Sequence, residues 1–281
     1  MIPASFDYVA PESLDEAIGA LAEGGEDAKL LAGGHSLLPL MKMRLADPRL
    51  LVDLRRVPGL NGIERENGTY RIGAMTTHHQ VATGGLGLAS KAATTIADQQ
   101  VRNRGTIGGS LAHGDTAADL PAVLLACDGE VTAQGPSGSR TIAASDLFED
   151  YLTTALAPDE VLTEVRLPEM DGYGFGYQKF NRRQEDWAMV GVCALVKGAD
   201  DGSCEDVRIG LMHMGSTPLR ATTAEDALRG KGLDSDSIAR AAEQAAEGTD
   251  PPTDLNATAD YKRHLARVLC RRAIEEAAGR A

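Results

Sequence analysis

Two segments of this sequence have residue types and spacing that suit ligand binding. Each contains a pair of glycines followed by a serine or a histidine. The first pair lies in "AGGHS" at residues 32–36, and the second lies in "TIGGS" at residues 106–110. Glycine lacks a Cβ, so its backbone can turn sharply or approach another group closely. Consecutive backbone N–H groups that precede a helix can also form a phosphate site. The two segments therefore predict either a pair of anion sites, which would suit a dinucleotide, or two tight turns.

Known nucleotide fingerprints do not decide between these alternatives. Neither segment reads G-x-G-x-x-G or G-x-x-x-x-G-K-[ST], so the sequence does not support a Rossmann or a P-loop site. The residues by themselves are therefore compatible with an anion site or with two tight turns, and they do not identify the anion.

Charge and cysteine spacing exclude several other functions. The 281 residues include 41 acidic and 28 basic side chains, giving a net charge of −13, which argues against a nucleic-acid partner. The four cysteines lie far apart without a C-x-x-C pair, so we expect reduced thiols and neither an iron–sulfur cluster nor a zinc site in this chain. His78 and His79 are adjacent, a spacing that does not favour a metal site. We also expect no transmembrane segment and a cytoplasmic location, because no leader pattern or long apolar run is present.

The elements that must position the first glycine pair form an alternating strand and helix pattern up to about residue 55. Ser13 and Glu16 have capping-box spacing, and Gly24–Gly25 ends the predicted helix. Buried strands are predicted at "AKLL", directly before the first glycine pair, and at "LLVDL", residues 50–54. The apolar face of the predicted helix consists of Leu14, Ala17, Ile18 and Leu21.

The second and third blocks, residues 56–170 and 171–281, have a different pattern. The second contains a strand at "TYRIGA", helices at "LASKAATTIADQQ" and "DLPAVLLA", and later runs typical of hairpins. The third begins with three strand-like runs and ends in a predicted helix over residues 260–277. The face of that helix is predicted to contain Tyr261, Leu265, Val268 and Leu269.

The order of several motifs resembles a known family. "AGGHSLLPLMKMRL", "LVDL", "IGAMTTH" and "RNRGTIGGSLAHGDTAADLPAVLLA" resemble the FAD-binding medium (flavoprotein) subunit of the molybdenum hydroxylases, the carbon monoxide dehydrogenase and xanthine dehydrogenase family. The resemblance implies an α/β (α+β) protein with a vanillyl-alcohol-oxidase-type FAD-binding fold. Its two α/β subdomains would be residues 1–55 and 56–170. A smaller C-terminal domain of antiparallel sheet and helices would be residues 171–281.

The resemblance also implies which residues bind FAD. The two glycine segments would clasp its pyrophosphate, Asp115 and Asp119 would accept hydrogen bonds from a ribose, and Trp187 would lie beside the isoalloxazine ring. Alternatives stay open: either aspartate could cap the following helix, Trp187 could anchor a packing contact, and Lys179 could be a solvated surface charge and not a cation near the flavin. Thr76 and Thr77 could bond the nucleotide or simply form a turn. The full set of expected FAD-binding residues is Ala32, Gly33, Gly34, His35, Ser36, Thr76, Thr77, Thr106, Ile107, Gly108, Gly109, Ser110, Asp115, Asp119, Lys179 and Trp187.

The function implied is electron transfer, with the redox chemistry at FAD and no catalytic side chain in this chain. A large partner subunit would hold the molybdopterin cofactor, a small one would hold [2Fe-2S] clusters, and the complex would be a dimer of heterotrimers. Electrons would pass from the clusters through FAD to an external acceptor. Two alternatives remain at this point: a free-standing FAD-dependent oxidase of the same fold class, and a nucleotide-binding scaffold without redox activity. The sequence identifies neither the substrate nor the acceptor.

Overall fold

The N-terminal part of the computed structural model, which describes residues 2–281, is a small parallel sheet with two helices. Its three strands have the order β1-β3-β2, and both neighbouring pairs are parallel. The sheet places the end of β2 and the start of α2 on either side of the first glycine pair. The elements are β1 (Asp7–Val9), α1 (Leu14–Gly24), β2 (Ala28–Leu31), α2 (Leu37–Met43) and β3 (Leu50–Asp53).

Helix α1 forms where the sequence predicted it. The Ser13 hydroxyl accepts a hydrogen bond from the Glu16 N–H at 3.2 Å and so caps the helix. Its buried residues Ala17, Ile18 and Leu21 form one core with Val52 of β3. The predicted helix, its cap and its apolar face are therefore confirmed.

The middle part of the chain is a five-stranded antiparallel sheet with short helices. The strand order is β4-β5-β10-β6-β7, so β10 lies at the centre, and β8 and β9 form a separate small hairpin. The elements are β4 (Ile63–Glu66), β5 (Thr69–Gly73), α3 (His78–Thr83), α4 (Leu88–Ala93), α5 (Gln99–Arg102), α6 (Ile107–His113), α7 (Asp119–Ala126), β6 (Glu130–Gly135), β7 (Gly138–Ala143), α8 (Ala144–Leu147), β8 (Phe148–Asp150), β9 (Thr153–Thr154) and β10 (Val161–Pro168).

The prediction of one continuous helix over residues 88–100 was wrong, because two short helices, α4 and α5, occupy this region. The chain leaves the helix after Ala93, Ala97 has a φ of 40°, and α5 begins after Asp98. The Asp98 carboxylate accepts a hydrogen bond from the Val101 N–H at 2.8 Å, which starts a new helix. Local capping thus overrides the helical pattern.

The C-terminal part is a four-stranded antiparallel sheet covered by helices. The strand order is β11-β12-β13-β14, and α11 packs across β11 and β12. A Cβ added to Gly176 would lie 2.0 Å from the Ala273 carbonyl oxygen, so the absence of a side chain in β11 allows this close packing. The elements are β11 (Gly174–Phe180), β12 (Val190–Gly198), β13 (Cys204–Met212), β14 (Leu219–Arg220), α9 (Thr222–Leu228), α10 (Ser235–Ala242) and α11 (Ala259–Ala278).

The predicted buried face of α11 was partly wrong. Leu265 and Leu269 are buried, but Tyr261 is exposed and Val268 is only partly buried. The buried face is one residue further round the helix and includes Lys262, whose side chain is completely buried. The apolar pattern could not reveal this lysine because its charge suggests solvent exposure.

Helix α7 lies between the middle and C-terminal sheets. It packs against β12 and β13, and its buried residues share a core with Val131 and Val165 of the five-stranded sheet. Nearly every residue of α7 is buried, as expected for a helix that is apolar all round. The start of α7 is therefore held between two parts of the molecule. Within residues 2–281, no helix is long and apolar enough to cross a membrane.

Candidate cofactor site

The first glycine segment leaves a row of backbone donors without acceptors. The N–H groups of residues 33–36 donate no hydrogen bond to any other residue that the structure describes, and the Ser36 hydroxyl does not cap α2. Gly34 has a φ of 77°, a conformation that favours glycine. His35 is exposed and Ser36 is half-buried. The segment thus offers several N–H groups and one hydroxyl at the start of a helix, which are the groups that an anion needs.

The second glycine segment differs, because the N–H groups of residues 107–110 already have acceptors inside the protein. The Ile107 N–H donates to the Thr76 carbonyl at 3.0 Å, and the Gly108 N–H donates to the Ala74 carbonyl at 2.9 Å. The Gly109 N–H donates to the Thr106 hydroxyl at 3.1 Å, and the Ser110 N–H donates to the Thr106 carbonyl at 3.0 Å. The expected pair of equivalent cradles is therefore corrected to one open row of donors and one closed turn. The half-buried Ser110 hydroxyl is one polar group that the closed turn can still present to a ligand.

The first segment packs on the backbone that directly precedes the second segment, and the second packs on the end of the β5 segment. A Cβ added to Gly33 would lie 2.3 Å from the Arg104 carbonyl oxygen and 2.7 Å from the Gly105 Cα. A Cβ added to Gly108 would lie 2.7 Å from the Ala74 carbonyl oxygen. Gly33 and Gly108 are thus required first by the packing of one backbone on another. The sequence alone suggested that the glycines make room for a phosphate. The structure adds a second reason, which is that a side chain at Gly33 or Gly108 would collide with a neighbouring backbone.

A small cavity lies where the segments meet. It has a volume of about 170 Å³, and its lining includes Ala32, Thr77, Arg104 and Thr106. Thr77 caps α3 by accepting from the Gln80 N–H, so its hydroxyl already has a partner while its side chain faces the cavity. The cavity connects the two segments that the sequence analysis paired.

Thr76 has a structural role in place of the expected nucleotide contact. Its side chain is completely buried, and its hydroxyl donates to the Gly62 carbonyl and accepts from the Gly62 N–H, each at 3.0 Å. Both hydrogen bonds hold the segment after β5 against the segment before β4. A hydroxyl engaged in this way is not available to a ligand.

Asp119, expected as a ribose acceptor, is enclosed in an internal polar cluster. Its carboxylate lies 3.0 Å from the Lys179 ammonium and accepts hydrogen bonds from the hydroxyls of Thr95 and Tyr177. Burial, followed by the negative charge of Asp119, raises the pKa of Tyr177 well above its usual value. The ion pair is almost completely buried, so the surface role considered for Lys179 is wrong. These contacts join α7 and β11, and the residue that caps α7 is Ala118 and not either aspartate.

Asp115 lies in a more open position. One carboxylate oxygen accepts a hydrogen bond from the Ala117 N–H at 2.8 Å, which closes a turn before α7. The side chain is only partly buried, and its second oxygen accepts no hydrogen bond from residues 2–281. Of the two aspartates, Asp115 is the one that can accept from a ligand hydroxyl.

Two family models match consecutive parts of the chain. The FAD binding domain in molybdopterin dehydrogenase matches residues 4–170, and the CO dehydrogenase flavoprotein C-terminal domain matches residues 175–277. The chain belongs to this flavoprotein family. The family resemblance drawn from the motifs and the fold class that it implied are therefore confirmed.

Similar proteins cover the whole flavoprotein chain. It is 42% identical to the 6-hydroxypseudooxynicotine dehydrogenase complex subunit alpha of Paenarthrobacter nicotinovorans, over 100% of this chain and 97% of the relative. It is 41% identical to the carbon monoxide dehydrogenase medium chain of Hydrogenophaga pseudoflava, over 99% and 98% of the two chains. A solved structure of carbon monoxide dehydrogenase from that organism, which lacks the Mo-pyranopterin moiety, superposes with a TM-score of 0.96 at 42% identity over all of both chains.

The residues of the flavoprotein fit FAD at the first glycine segment. The unbonded N–H groups of residues 33–36 and the hydroxyl of Ser36 supply donors without a nearby carboxylate of the same segment. Local donors of this kind are needed here because the chain as a whole carries a net charge of −13. A pyrophosphate is the part of FAD that matches such a donor set.

Trp187 is exposed near the start of β12. It exposes 54% of its surface, so it does not anchor a packing contact within the flavoprotein. The next residue, Ala188, is buried, and its carbonyl oxygen lies 2.9 Å from Nδ1 of His213. The position leaves the indole free to contact a flavin or another subunit.

Sequence reasoning missed several residues that determine which candidate groups are open to a ligand. Thr95 and Tyr177 complete the cluster around Asp119, and the Arg104–Gly105 backbone supports Gly33. Gly105 carried a signal, since it lies just before the second glycine pair. Thr95 and Tyr177 carried none, because they contact Asp119 only after distant segments have packed together.

Proposed function

We propose that this chain binds FAD and transfers electrons from [2Fe-2S] clusters in a small partner subunit, through FAD, to an external acceptor. A large partner subunit would hold the molybdopterin cofactor and oxidise the substrate. The family membership and the relatives named as medium chains support this proposal over a free-standing oxidase or a scaffold. The wide spacing of the four cysteines supports the location of the clusters in a partner.

The observation that carries the proposal is the row of unbonded N–H groups at residues 33–36. We propose that these groups and the Ser36 hydroxyl hold the pyrophosphate, that the Ser110 hydroxyl adds to them, and that Asp115 accepts from a ribose hydroxyl. FAD, when bound, supplies a group that can take up and release one or two electrons. The chain itself binds this group, orients it and presents Trp187 beside it.

The organisation of the protein follows from the same proposal. FAD would lie on two subdomains, residues 1–55 and 56–170, and the third domain would be residues 171–281. The complex would be a dimer of heterotrimers in the cytoplasm. The three separate main sheets support this division of the chain.

The FAD affinity of a Ser36→Ala variant tests the pyrophosphate assignment. The Ser36 hydroxyl makes no capping hydrogen bond in α2, so its removal should leave the fold intact. A hydrogen bond to a charged group contributes about 1.5–3 kcal/mol, so we expect the variant to bind FAD about 10- to 150-fold more weakly. The matched control is Ser139→Ala, because Ser139 is exposed on β7, away from both glycine segments. Titration of the deflavinated protein with FAD measures the dissociation constants. Equal affinities for the two variants would contradict the assignment of Ser36.

A further inference from the structure

His213 has an unusual backbone conformation directly after β13. Its φ is 61°, in the left-handed region that residues with a side chain rarely adopt. Its N–H donates to the Thr116 carbonyl at 2.9 Å, which ties β13 to the segment between α6 and α7. A conformation of this kind persists only where the surrounding contacts determine it.

The imidazole of His213 bridges two further segments. Nδ1 lies 2.9 Å from the Ala188 carbonyl oxygen, and Nε2 lies 3.4 Å from the Lys262 ammonium. A carbonyl oxygen only accepts, so Nδ1 must carry the proton, and Nε2 is then free to accept from Lys262. The Asp254 carboxylate also lies 3.7 Å from Nε2, so contacts at both nitrogens define the ring orientation.

Lys262 is a rigid support for this ring. Its side chain is completely buried in α11, and its ammonium donates to the Asp254 carboxylate at 2.6 Å. The same carboxylate accepts from the N–H groups of Asn256 and Ala257 at 2.7 and 3.0 Å. The loop before α11 thus fixes Lys262, and Lys262 in turn fixes His213.

These contacts bring together two segments that bear on the proposed flavin site. Thr116 follows Asp115, the proposed ribose acceptor, and Ala188 follows Trp187, the residue proposed to lie beside the isoalloxazine ring. The backbone of each segment is bonded to His213. Because the indole of Trp187 is mostly exposed, packing of the side chain itself does not determine its place.

We propose that His213 is a positioning residue that fixes the Trp187 segment against the Asp115 segment and so sets the orientation of Trp187 toward the bound flavin. The inference rests on the proposed function, because it takes Trp187 to be the flavin's neighbour. In this proposal His213 acts through the Ala188 backbone and does not itself contact the cofactor.

Trp187 is the single tryptophan of the chain, so tryptophan fluorescence reports on this segment alone. The experiment uses the purified full chain and two variants. In His213→Gly, both ring contacts are lost, but the left-handed backbone is retained because glycine adopts it readily. In His213→Asn, the amide nitrogen takes the place of Nδ1 and can still donate to Ala188, and asparagine also tolerates a left-handed backbone.

We expect His213→Gly to make Trp187 more accessible to acrylamide quenching and to lose most of the quenching that FAD causes in the wild-type chain. His213→Asn should behave like the wild type in both measurements, a rescue that a general loss of stability would not produce. FAD binding is followed separately by polarisation of the flavin's own fluorescence, and thermal unfolding confirms that the variants are folded. Trp187→Phe supplies the background signal.

Unchanged quenching by acrylamide and by FAD in a folded His213→Gly chain would overturn the positioning role while leaving the proposed function intact. If His213→Asn lost the quenching as fully as His213→Gly, the hydrogen bond to Ala188 would be excluded as its basis. Failure of the wild-type chain to bind FAD, alone and with its partner subunits, would instead contradict the proposed function, and with it the flavin part of this inference.

Discussion

At the scale of single residues, the same residue type has different roles according to its burial. His35, beside the unbonded donors, is exposed, whereas His78 at the start of α3 is almost completely buried. His78 packs against Gly105, and its Nδ1 atom has no hydrogen-bond partner among residues 2–281. Burial lowers the pKa of His78 to about 4, so the ring is neutral at pH 7.

This shift predicts how stability depends on pH. The pKa of His78 is lower in the folded chain than the ordinary value of 6.5, so the unfolded state binds more protons between pH 6.5 and about 4. The free energy of unfolding should therefore fall as the pH falls through this range, by about 3 kcal/mol from this residue. Urea denaturation at a series of pH values measures the slope.

A His78→Gln variant is the control for this prediction, because glutamine is polar and does not titrate. The slope between pH 6.5 and 4 should be smaller in this variant than in the wild type. His79→Gln serves as the matched exposed substitution and should retain the wild-type slope. Equal slopes in all three proteins would show that His78 does not control acid stability.

At the scale of elements, the glycine segments act as a pair of interlocked turns. The first joins β2 to α2 and leaves the N–H groups of residues 33–36 open, whereas the second begins α6, and its N–H groups at residues 107–110 already have acceptors within the protein. The closed turn supports the open one, since Gly33 lies directly on the Arg104–Gly105 backbone. An open row of donors next to a rigid neighbour is the arrangement that the proposed pyrophosphate site requires.

Gly33→Ala should weaken both the fold and FAD binding. Its Cβ would be placed 2.3 Å from the Arg104 carbonyl oxygen, so the backbone has to move. Overpacking of this kind typically costs about 1–3 kcal/mol. Chemical denaturation measures the loss of stability, and the ratio of flavin to protein absorbance measures the loss of FAD.

Gly19→Ala is the matched control, because a Cβ at Gly19 in α1 would meet nothing within 4 Å. Alanine in a helix interior is more favourable than glycine by about 0.5–1 kcal/mol, so this variant should be slightly more stable and retain its FAD. The same chemical change should thus have opposite signs at the two positions. If Gly33→Ala were as stable as Gly19→Ala and retained as much flavin, the close packing at Gly33 would be excluded as a requirement for stability and FAD binding.

At the scale of the whole molecule, buried polar contacts hold the C-terminal part against the middle part. Lys179 and Tyr177 of β11 contact Asp119 at the start of α7, and His213 after β13 contacts Thr116 before that helix. Both contacts approach α7 from the C-terminal sheet. The parts of the chain proposed to surround FAD are therefore connected by specific bonds as well as by an apolar core.

The proposed electron relay predicts that substrate oxidation needs the partner subunits. The chain with FAD bound should be reduced by dithionite but should not oxidise aldehydes, purines or carbon monoxide by itself. Addition of the molybdenum and iron–sulfur subunits should allow the substrate of the complex to reduce the flavin. The loss of flavin absorbance measures this reduction. A complex lacking only the small subunit is the control and should stay oxidised. Bleaching of the flavin by one of these substrates in the isolated chain, free of molybdenum and iron, would support the free-standing oxidase.

The sequence by itself determined the local elements and the family. Ser13 and Glu16 defined the start of α1, the apolar runs defined most of the strands, and the ordered motifs pointed to the flavoprotein family. These features depend on neighbouring residues or on the linear order of motifs, and both can be read directly from the chain. The first glycine segment was correctly placed directly after a strand for the same reason.

Only the tertiary structure decided which candidate residues are open to a ligand. The Gly109 N–H has a local partner in Thr106, but the N–H groups of Ile107 and Gly108 are bonded to residues far earlier in the chain, and Asp119 is enclosed by Thr95, Tyr177 and Lys179. These partners are distant in sequence, so no local pattern predicts whether a given N–H or carboxylate is already bonded. Availability to a ligand depends on how separate segments pack, because each hydrogen bond formed inside the protein removes a group from the binding site.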